Sequence, residues 1–341
     1  MIHLKDIGEF GLIDKLTEDI DLTNTSTIKG IGDDAAVIDA GNHCKIISKD
    51  LLLEGIHFDM SYAPLKHLGY KAAIVNFSDI YAMNAVPKQL LVGIGLSSRF
   101  TFEAIEEIYQ GIKLACKNYG VDFVGGDTTS SRSGLVISAT IIGEAKKEEI
   151  TYRNTANKND LICVSGDLGA AYIGLLLLER EKEVFKANSD MQPELEAAEY
   201  VLERQLKPEA RADIVTLLKE KNIKPSSMID ISDGLASELL HLTKQSNLGC
   251  RIIEDKIPID YQTIQKAEEF EIDPTTCAMN GGEDYELLFT LSQKDYEQIK
   301  ESKEISIIGY MTDANEGVNL MTRSDALVEI TAQGWDALKT N

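Results

Sequence analysis

Apolar and polar positions along the chain change period repeatedly. Residues 89–96 set Val92, Ile94 and Leu96 on one face at a spacing of two, which predicts a strand with one buried side. Residues 102–119 follow with helical spacing and run into Gly120, a residue suited to the left-handed C-cap that ends a helix. On the same reading 35–38, 45–50, 121–124 and 135–144 are strands, and 68–84 is a helix rich in small residues. Beyond the charged stretch 146–149 the pattern restarts. A strand at 160–165 leads through Gly166 and Gly169 into an apolar helix at 170–180. Amphipathic helices are predicted at 194–205 and 210–221, a strand at 228–231, a helix at 235–246 closed by Gly249, and strands at 285–291 and 305–311. This mixture predicts two domains of α/β and α+β character rather than one doubly wound sheet, divided as 1–148 and 149–341.

Charge changes the picture more than apolar content does. The 34 basic and 56 acidic side chains give a formal net charge of −22. Such a surface repels nucleic acid and anionic membranes, which are excluded as expected partners. It also repels any phosphorylated substrate unless metal cations intervene. The densest apolar stretch, 172–178, is too short to span a bilayer, and the N-terminus with Lys5, Asp6 and Glu9 lacks the apolar run of a signal peptide. Five cysteines, Cys44, Cys116, Cys163, Cys250 and Cys277, are scattered and form no CxxC pair, so neither a disulfide framework nor a zinc site is indicated. The expectation is a soluble protein of the cytoplasm.

Familiar nucleotide motifs are missing. There is no GxxxxGK[ST] and no protein-kinase HRD or DFG pattern. Gly30-Ile31-Gly32 opens a GxGxxA string, but Asp33 and Asp34 would set two carboxylates against a dinucleotide's pyrophosphate. What recurs is aspartate at the ends of apolar segments: Asp33 and Asp34 in GIGDDAAVI, Asp50 in ISKDLLLEGIHF, Asp79 in NFSDIYAMN, Asp127 in VGGDTTS, and Asp230 and Asp233 in IDISDGL. Oxygen ligands without histidine or cysteine clusters suit Mg²⁺ rather than zinc or copper. Taken singly, each motif fits a turn equally well, and Ser232 or Asp233 fits an N-cap. Convergence is what would separate the readings. Two carboxylates ~4 Å apart repel by about 4 kcal/mol at an effective dielectric near 20, so several converging ones demand cations.

Taken in order, GIGDDAAVI, SKDLLLEGIHF, KAAIVNFSDIYAMNAVP, VGGDTTSS, YRN, IDISDGL and GGEDYELLF resemble the thiamine-monophosphate kinases, from Gly8-Glu9-Phe10 to Gly334-Trp335. The resemblance implies a homodimer with the two-domain architecture of aminoimidazole ribonucleotide synthetase: an N-terminal mixed-sheet α/β domain for metal, ATP and dimerisation, and a C-terminal α+β domain completing the site. It implies transfer of the ATP γ-phosphoryl group to thiamine monophosphate, giving thiamine diphosphate and ADP, with several Mg²⁺ ions. The metal ligands it implies are Asp34, Ser48, Asp50, Asp79, Asp127, Asp230 and Asp233. Ser232, Arg153, Gly126, Asp127 and Tyr109 resemble nucleotide-contacting positions, and His57, Glu283 and Trp335 resemble those that receive thiamine. Asp50, Asp127, Arg153 and Asp230 are the implied catalytic set. The chemistry is coherent: phosphoryl transfer needs alignment and charge neutralisation, and an ionised phosphate acceptor needs no strong base. Glu283 would attract the cationic thiazolium, and Trp335 would stack on a planar ring.

Each of these side chains also has a plain structural alternative. His57 beside Phe58 suits a packed or surface histidine, Trp335 a core anchor, Glu283 and Asp284 a solvated turn, and Arg153 an interdomain ion pair. Two positions depart from the family pattern. Lys49 stands where threonine is common, and in a strand it would point away from Ser48 and Asp50. In Lys207-Pro208-Glu209-Ala210-Arg211 a second proline before the arginine is replaced. Sister enzymes fit less well: the chain ends Lys339-Thr340-Asn341 without the terminal cysteine of the hydrogenase maturation protein, and no reactive cysteine occupies a glycine-rich N-terminal segment as in selenophosphate synthetase. An ATP-dependent synthetase like aminoimidazole ribonucleotide synthetase is the alternative among sister enzymes, though GGEDYELLF and Trp335 fit it less well, and a silent nucleotide- or metal-binding protein is the alternative from another class.

Overall fold

The computed structural model describes residues 4–333 and contains two mixed sheets. After helix α1 (Leu4–Thr17), the first sheet is built from β1 (Thr27–Lys29), β2 (Ala36–Asp39), β3 (Cys44–Leu53), β4 (Val86–Leu96), β5 (Asp122–Ser130) and β6 (Val136–Ala145). Their order is β1-β2-β3-β6-β4-β5, antiparallel except for the parallel β4–β5 edge. Alternation along β6 buries Ile137, Ala139 and Ile141 on one face, as a half-covered sheet requires. Helices α2 (Leu65–Ala82) and α3 (Phe102–Tyr119) cover that face. Thr101 accepts from the Ala104 N–H at the start of α3, and Gly120 ends the helix in the left-handed region at φ 66°.

The second sheet comprises β7 (Leu161–Ser165), β8 (Ser227–Asp230), β9 (Leu248–Ile253), β10 (Leu287–Leu291), β11 (Ile305–Asp313), β12 (Val318–Met321) and β13 (Leu327–Glu329), ordered β13-β12-β9-β11-β7-β10-β8. Its helices are α4 (Ala170–Ala187), α5 (Glu199–Leu206), α6 (Ala212–Glu220), α7 (Leu235–Ser246), α8 (Tyr261–Glu269) and α9 (Pro274–Asn280). β7, β8 and β10 are covered on both faces. Cys163, Met228 and Phe289 pack into the core shared with α2 and α6, while Ile162, Val164, Ile229 and Leu288 pack under α7.

Helix α2 joins the two sheets. It is buried on nearly all sides, lying against β3, β4 and β6 of the first sheet and β8 of the second. Polar residues within it are therefore inside the molecule, and Lys71, Asn76 and Ser78 are all buried. Among the described residues, no helix is long and apolar enough to cross a membrane.

Some expectations need correction. Helix 194–205 is shorter, beginning at Glu199, because the preceding segment turns back so that the Glu194 N–H donates to Glu181. Asn247, not Gly249, caps α7 in the left-handed region, and Gly249 lies in β9, where Gly317 and Asp313 carbonyls leave no room for a Cβ. The aspartates are not all at strand ends: Asp50 and Asp127 lie within β3 and β5, Asp79 lies on α2, and only Asp230 of these terminates a strand.

Candidate active site

Four segments bring carboxylates together. Asp34 comes from the turn before β2, Asp50 from β3, Asp79 from α2 and Asp230 from the end of β8. Asp34, Asp79 and Asp230 each offer an oxygen within 4.8 Å of the others. Like charges at that separation repel by about 3–4 kcal/mol per pair at an effective dielectric near 20. Burial first, then neighbouring carboxylates, pushes the Asp79 carboxyl well above its usual range, and the Asp230 carboxyl rises to about 8 for the same reasons. Asp50 is pushed up to about 6 by burial.

Hydroxyls and one guanidinium hold these groups in place. Ser48 Oγ donates to Asp79 Oδ2 at 2.5 Å, and Ser78 Oγ donates to Asp230 Oδ2 at 2.5 Å. The Asp50 N–H donates to Asn76 Oδ1 at 3.3 Å. Arg153 grips Asp34 with two bonds, Nε to Oδ2 at 3.0 Å and Nη2 to Oδ1 at 2.5 Å. Its carbonyl is held in turn by the hydroxyls of Ser227 and Ser246. The guanidinium pairs with Asp34 and at longer range favours the charge on Asp230, yet Asp50, Asp79 and Asp230 are still driven toward their protonated forms. An all-oxygen, under-compensated set of this kind, with Asp34 and Asp230 buried and Asp50 and Asp79 half-buried at a cavity, fits a hard divalent cation.

The same cavity that Asp50, Asp79 and Asp230 line is bounded by His57, Ser232, Glu283 and Tyr285. The Leu53 N–H donates to His57 Nδ1 at 3.1 Å, so the ring proton sits on Nε2; burial lowers the His57 pKa and keeps the ring neutral. Glu283 lies in a tight turn in which Gly282, Glu283 and Tyr285 all have positive φ, at 71°, 59° and 52°. The turn is pinned by Glu283 N–H to the Ser232 carbonyl at 2.6 Å and Tyr285 N–H to the Ile231 carbonyl at 2.9 Å. Successive side chains leave it in opposite directions. Glu283 and Tyr285 line the cavity, while Asp284 receives the Gly169 N–H and Glu286 receives Arg204, Arg211 and Ser165.

Residues 32–145 match the family described as AIR synthase related protein, N-terminal domain. The chain is 32% identical to the thiamine-monophosphate kinase of Bacillus subtilis (strain 168) over 339 residues, which cover 98% of this chain and 100% of that protein. The chain belongs to the thiamine-monophosphate kinase family. It is 34% identical to the thiamine-monophosphate kinase of Aquifex aeolicus (strain VF5), covering 93% of this chain and 95% of that one. The solved structure of AaThiL complexed with AMPPCP and TMP superposes with a TM-score of 0.83 at 31% identity, covering 99% of each chain. Hydrogenase maturation protein HypE in complex with ATP gives a TM-score of 0.71 at 19% identity, covering 99% of this chain and 100% of that one, and shares the fold alone.

Within this kinase-family chain, Asp34, Ser48, Asp50, Asp79, Arg153, Asp230, Ser232, His57 and Glu283 gather at one place. Asp233 lies beside it, its N–H donating to Glu238 Oε1 at 3.1 Å. Asp127, Gly126 and Tyr109 are not brought in. In the ladder, Gly126 and Ala139 flank Val92, and Ala139 faces Asp50; Asp127 and Ser138 flank Gly93. Partners at one level share a face, so exposed Asp127 is on the opposite, open face of the sheet from Asp50. Gly126 has a structural reason of its own, since a Cβ there would lie 1.8 Å from the Val92 carbonyl oxygen. Tyr109 packs edge-on against Phe123, ring centres 5.9 Å apart. Lys49 points to the open face and donates to Ser138 Oγ at 2.5 Å. Trp335 lies outside the described residues.

Three site residues escape a reading of the sequence. Glu238, almost wholly buried, lies behind Asp233, with burial first and Asp233 next pushing its carboxyl well up. Lys71 and Gln205 both reach Glu283. Lys71 had a usable signal, a lone lysine inside the otherwise apolar helical run KAAIVNF. Glu238 and Gln205 had none, because both sit on helices whose polar positions look solvated.

Proposed function

We propose that the acidic cavity is where this kinase transfers the γ-phosphoryl group of ATP to the phosphate of thiamine monophosphate, giving thiamine diphosphate and ADP. One observation carries the reading: the Asp34–Asp79–Asp230 cluster shares a cavity with His57 and Glu283, in a chain of this family. Asp34, Ser48, Asp50, Asp79 and Asp230 would hold Mg²⁺, with Asp233 at the margin; Asp127, on the open face, is left out of the set. When bound, the metal neutralises carboxylates and phosphates and acts as a Lewis acid toward the transferring group.

The chain's own residues supply the rest. Arg153 sets a fixed guanidinium beside the cluster, suited to a nucleotide phosphate, and Ser232 offers a hydroxyl on the cavity wall. His57 presents a neutral Nε2–H donor, and Glu283 presents a carboxylate to the thiamine portion. The acceptor oxygen is already ionised, so alignment suffices and no side chain has to remove its proton. The reading divides the chain at 148/149, the first part carrying Asp34, Asp50 and Asp79 and the second Arg153, Asp230 and Glu283. It also includes a cytoplasmic homodimer, supported by the exposed Leu51 and Val124 on the first sheet.

Thiamine diphosphate formation from ATP and thiamine monophosphate, followed with and without Mg²⁺, tests it. Mg²⁺-dependent product with one ADP per turnover is expected. Product formed at the same rate with excess chelator would remove the metal set, and no product from folded, ATP-binding protein would remove the reaction.

A further inference from the structure

We propose that Lys71 and Gln205 are positioning residues that orient the Glu283 carboxylate, and so set selectivity for the amine-bearing, cationic ring portion of the acceptor. The inference rests on the reading that Glu283 faces thiamine. Lys71 is 5% exposed, and its ammonium donates to Glu283 Oε2 at 2.6 Å and to the main-chain carbonyl of Gln205 at 3.0 Å. Gln205 is 6% exposed, and its Nε2 donates to the same Oε2 at 3.0 Å. A carboxylate only accepts, so this contact fixes which way the amide points.

The arrangement is asymmetric. Both strong donors converge on Oε2, whereas among the described residues Oε1 receives only the Tyr285 hydroxyl at 3.3 Å. Oε1 therefore keeps acceptor capacity on a side chain that lines the cavity. Such an acceptor on the cavity wall suits a ring carrying an N–H donor. With the Lys71 ammonium already against Oε2, charge attraction for a cation is weakened, and hydrogen bonding through Oε1 gains weight in recognition.

Spacing adds a second element. Lys71 sits eight residues before Asp79 on α2, which is ~12 Å along a helix axis. The same helix holds Asp230 through Ser78. One rigid element thus fixes the Glu283 carboxylate relative to the acidic cluster, matching a ligand with a phosphate at one end and a heteroaromatic ring at the other.

The test is a double-mutant cycle of K71M and E283Q in the full chain, reading KM for thiamine monophosphate, KM for ATP and kcat. K71M is expected to raise KM for thiamine monophosphate about tenfold while moving KM for ATP less than twofold. In the E283Q background, K71M is expected to change KM for thiamine monophosphate less than twofold, because an amide has one accepting oxygen and cannot present a second to the ligand while the first faces Lys71. Lys71→Arg should restore KM to within about threefold of wild type, and Q205L should raise it about threefold; these two variants decide the matter if K71M does not fold. Equal effects of K71M in both backgrounds, or equal effects on the two substrates, overturn the positioning role while leaving the proposed reaction intact. A wild-type protein that makes no thiamine diphosphate overturns the reaction and this inference together.

Discussion

Two groups of buried carboxylates flank the 282–286 turn and are balanced in opposite ways. On the cavity side, Asp34, Asp50, Asp79 and Asp230 face one another with Arg153 as their guanidinium. On the other side, Glu286 is held by Arg204 at 2.9 Å, Arg211 at 2.5 Å and Ser165 at 2.5 Å, with Asp284 close to Arg204. Both sets are desolvated, and each holds a carboxyl raised by burial and by neighbouring acids, Asp230 at about 8 and Asp284 at about 7. The difference is in cations: two guanidinium groups contact the second set and one contacts the first, so burial of acid is no mark of function by itself, and a shortage of cations around it is the better sign. The compensated network fastens the back of the turn whose front presents Glu283.

The sharpest way to break this comparison is to remove one charge from each side. Asp230→Asn or Asp79→Asn should cut kcat by about a thousandfold or more. Metal-free thermal stability of Asp230→Asn should hold at neutral pH, where a carboxyl at about 8 is largely protonated, and rise above pH ~8, where its charge would repel the neighbouring carboxylates; a clear drop in melting temperature would mean the cluster is not under-compensated. On the other side, Glu286→Gln should cost about 3 kcal/mol in urea unfolding, since it removes the buried charge that two half-buried guanidinium groups share. A loss below ~1 kcal/mol would show that the network is not holding the turn.

Next in size is a pH effect. The folded-state carboxyl groups of Asp50 and Asp230 sit at about 6 and about 8, above the ordinary 3.8. Between pH ~4 and ~8 the folded chain therefore keeps protons that the unfolded chain has released, and metal-free stability should fall as pH rises through that window. A decline of several kcal/mol is expected, fading under saturating Mg²⁺ because the cation takes the protons' place. A metal-free profile that is flat from pH 5 to 8 would contradict the raised values. Smallest is Lys49→Thr: with its ammonium on the open face at Ser138, turnover and Mg²⁺ dependence should change less than twofold.

Where local rules dominate, the sequence was legible. Helix α3 runs from Phe102 to Tyr119 with its Gly120 cap as expected, because periodicity and capping chemistry are contained in the segment itself. Asp34, Asp50, Asp79 and Asp230 could be named from their motifs, but their meeting depends on strand order and on α2 lying between the sheets. Asp127 shows the limit. The GGDT segment resembles its family fully, yet its face is decided by a ladder register that shifts between Leu90 and Leu91, which no local pattern contains. Lys71 and Gln205 were hidden for a similar reason: they act on Glu283 over separations of 212 and 78 residues.

Helix α2 also limits how the molecule can move. A jaw that swung its two halves apart would have to pull Ile74, Phe77 and Ile80 out of a core to which both sheets contribute, at roughly 1.5–3 kcal/mol for each side chain re-wetted. No hinge is free to act while that helix stays seated. Substrate entry and product exit then fall to the rim segments around the cavity, and turnover should leave the radius of gyration seen by small-angle scattering unchanged.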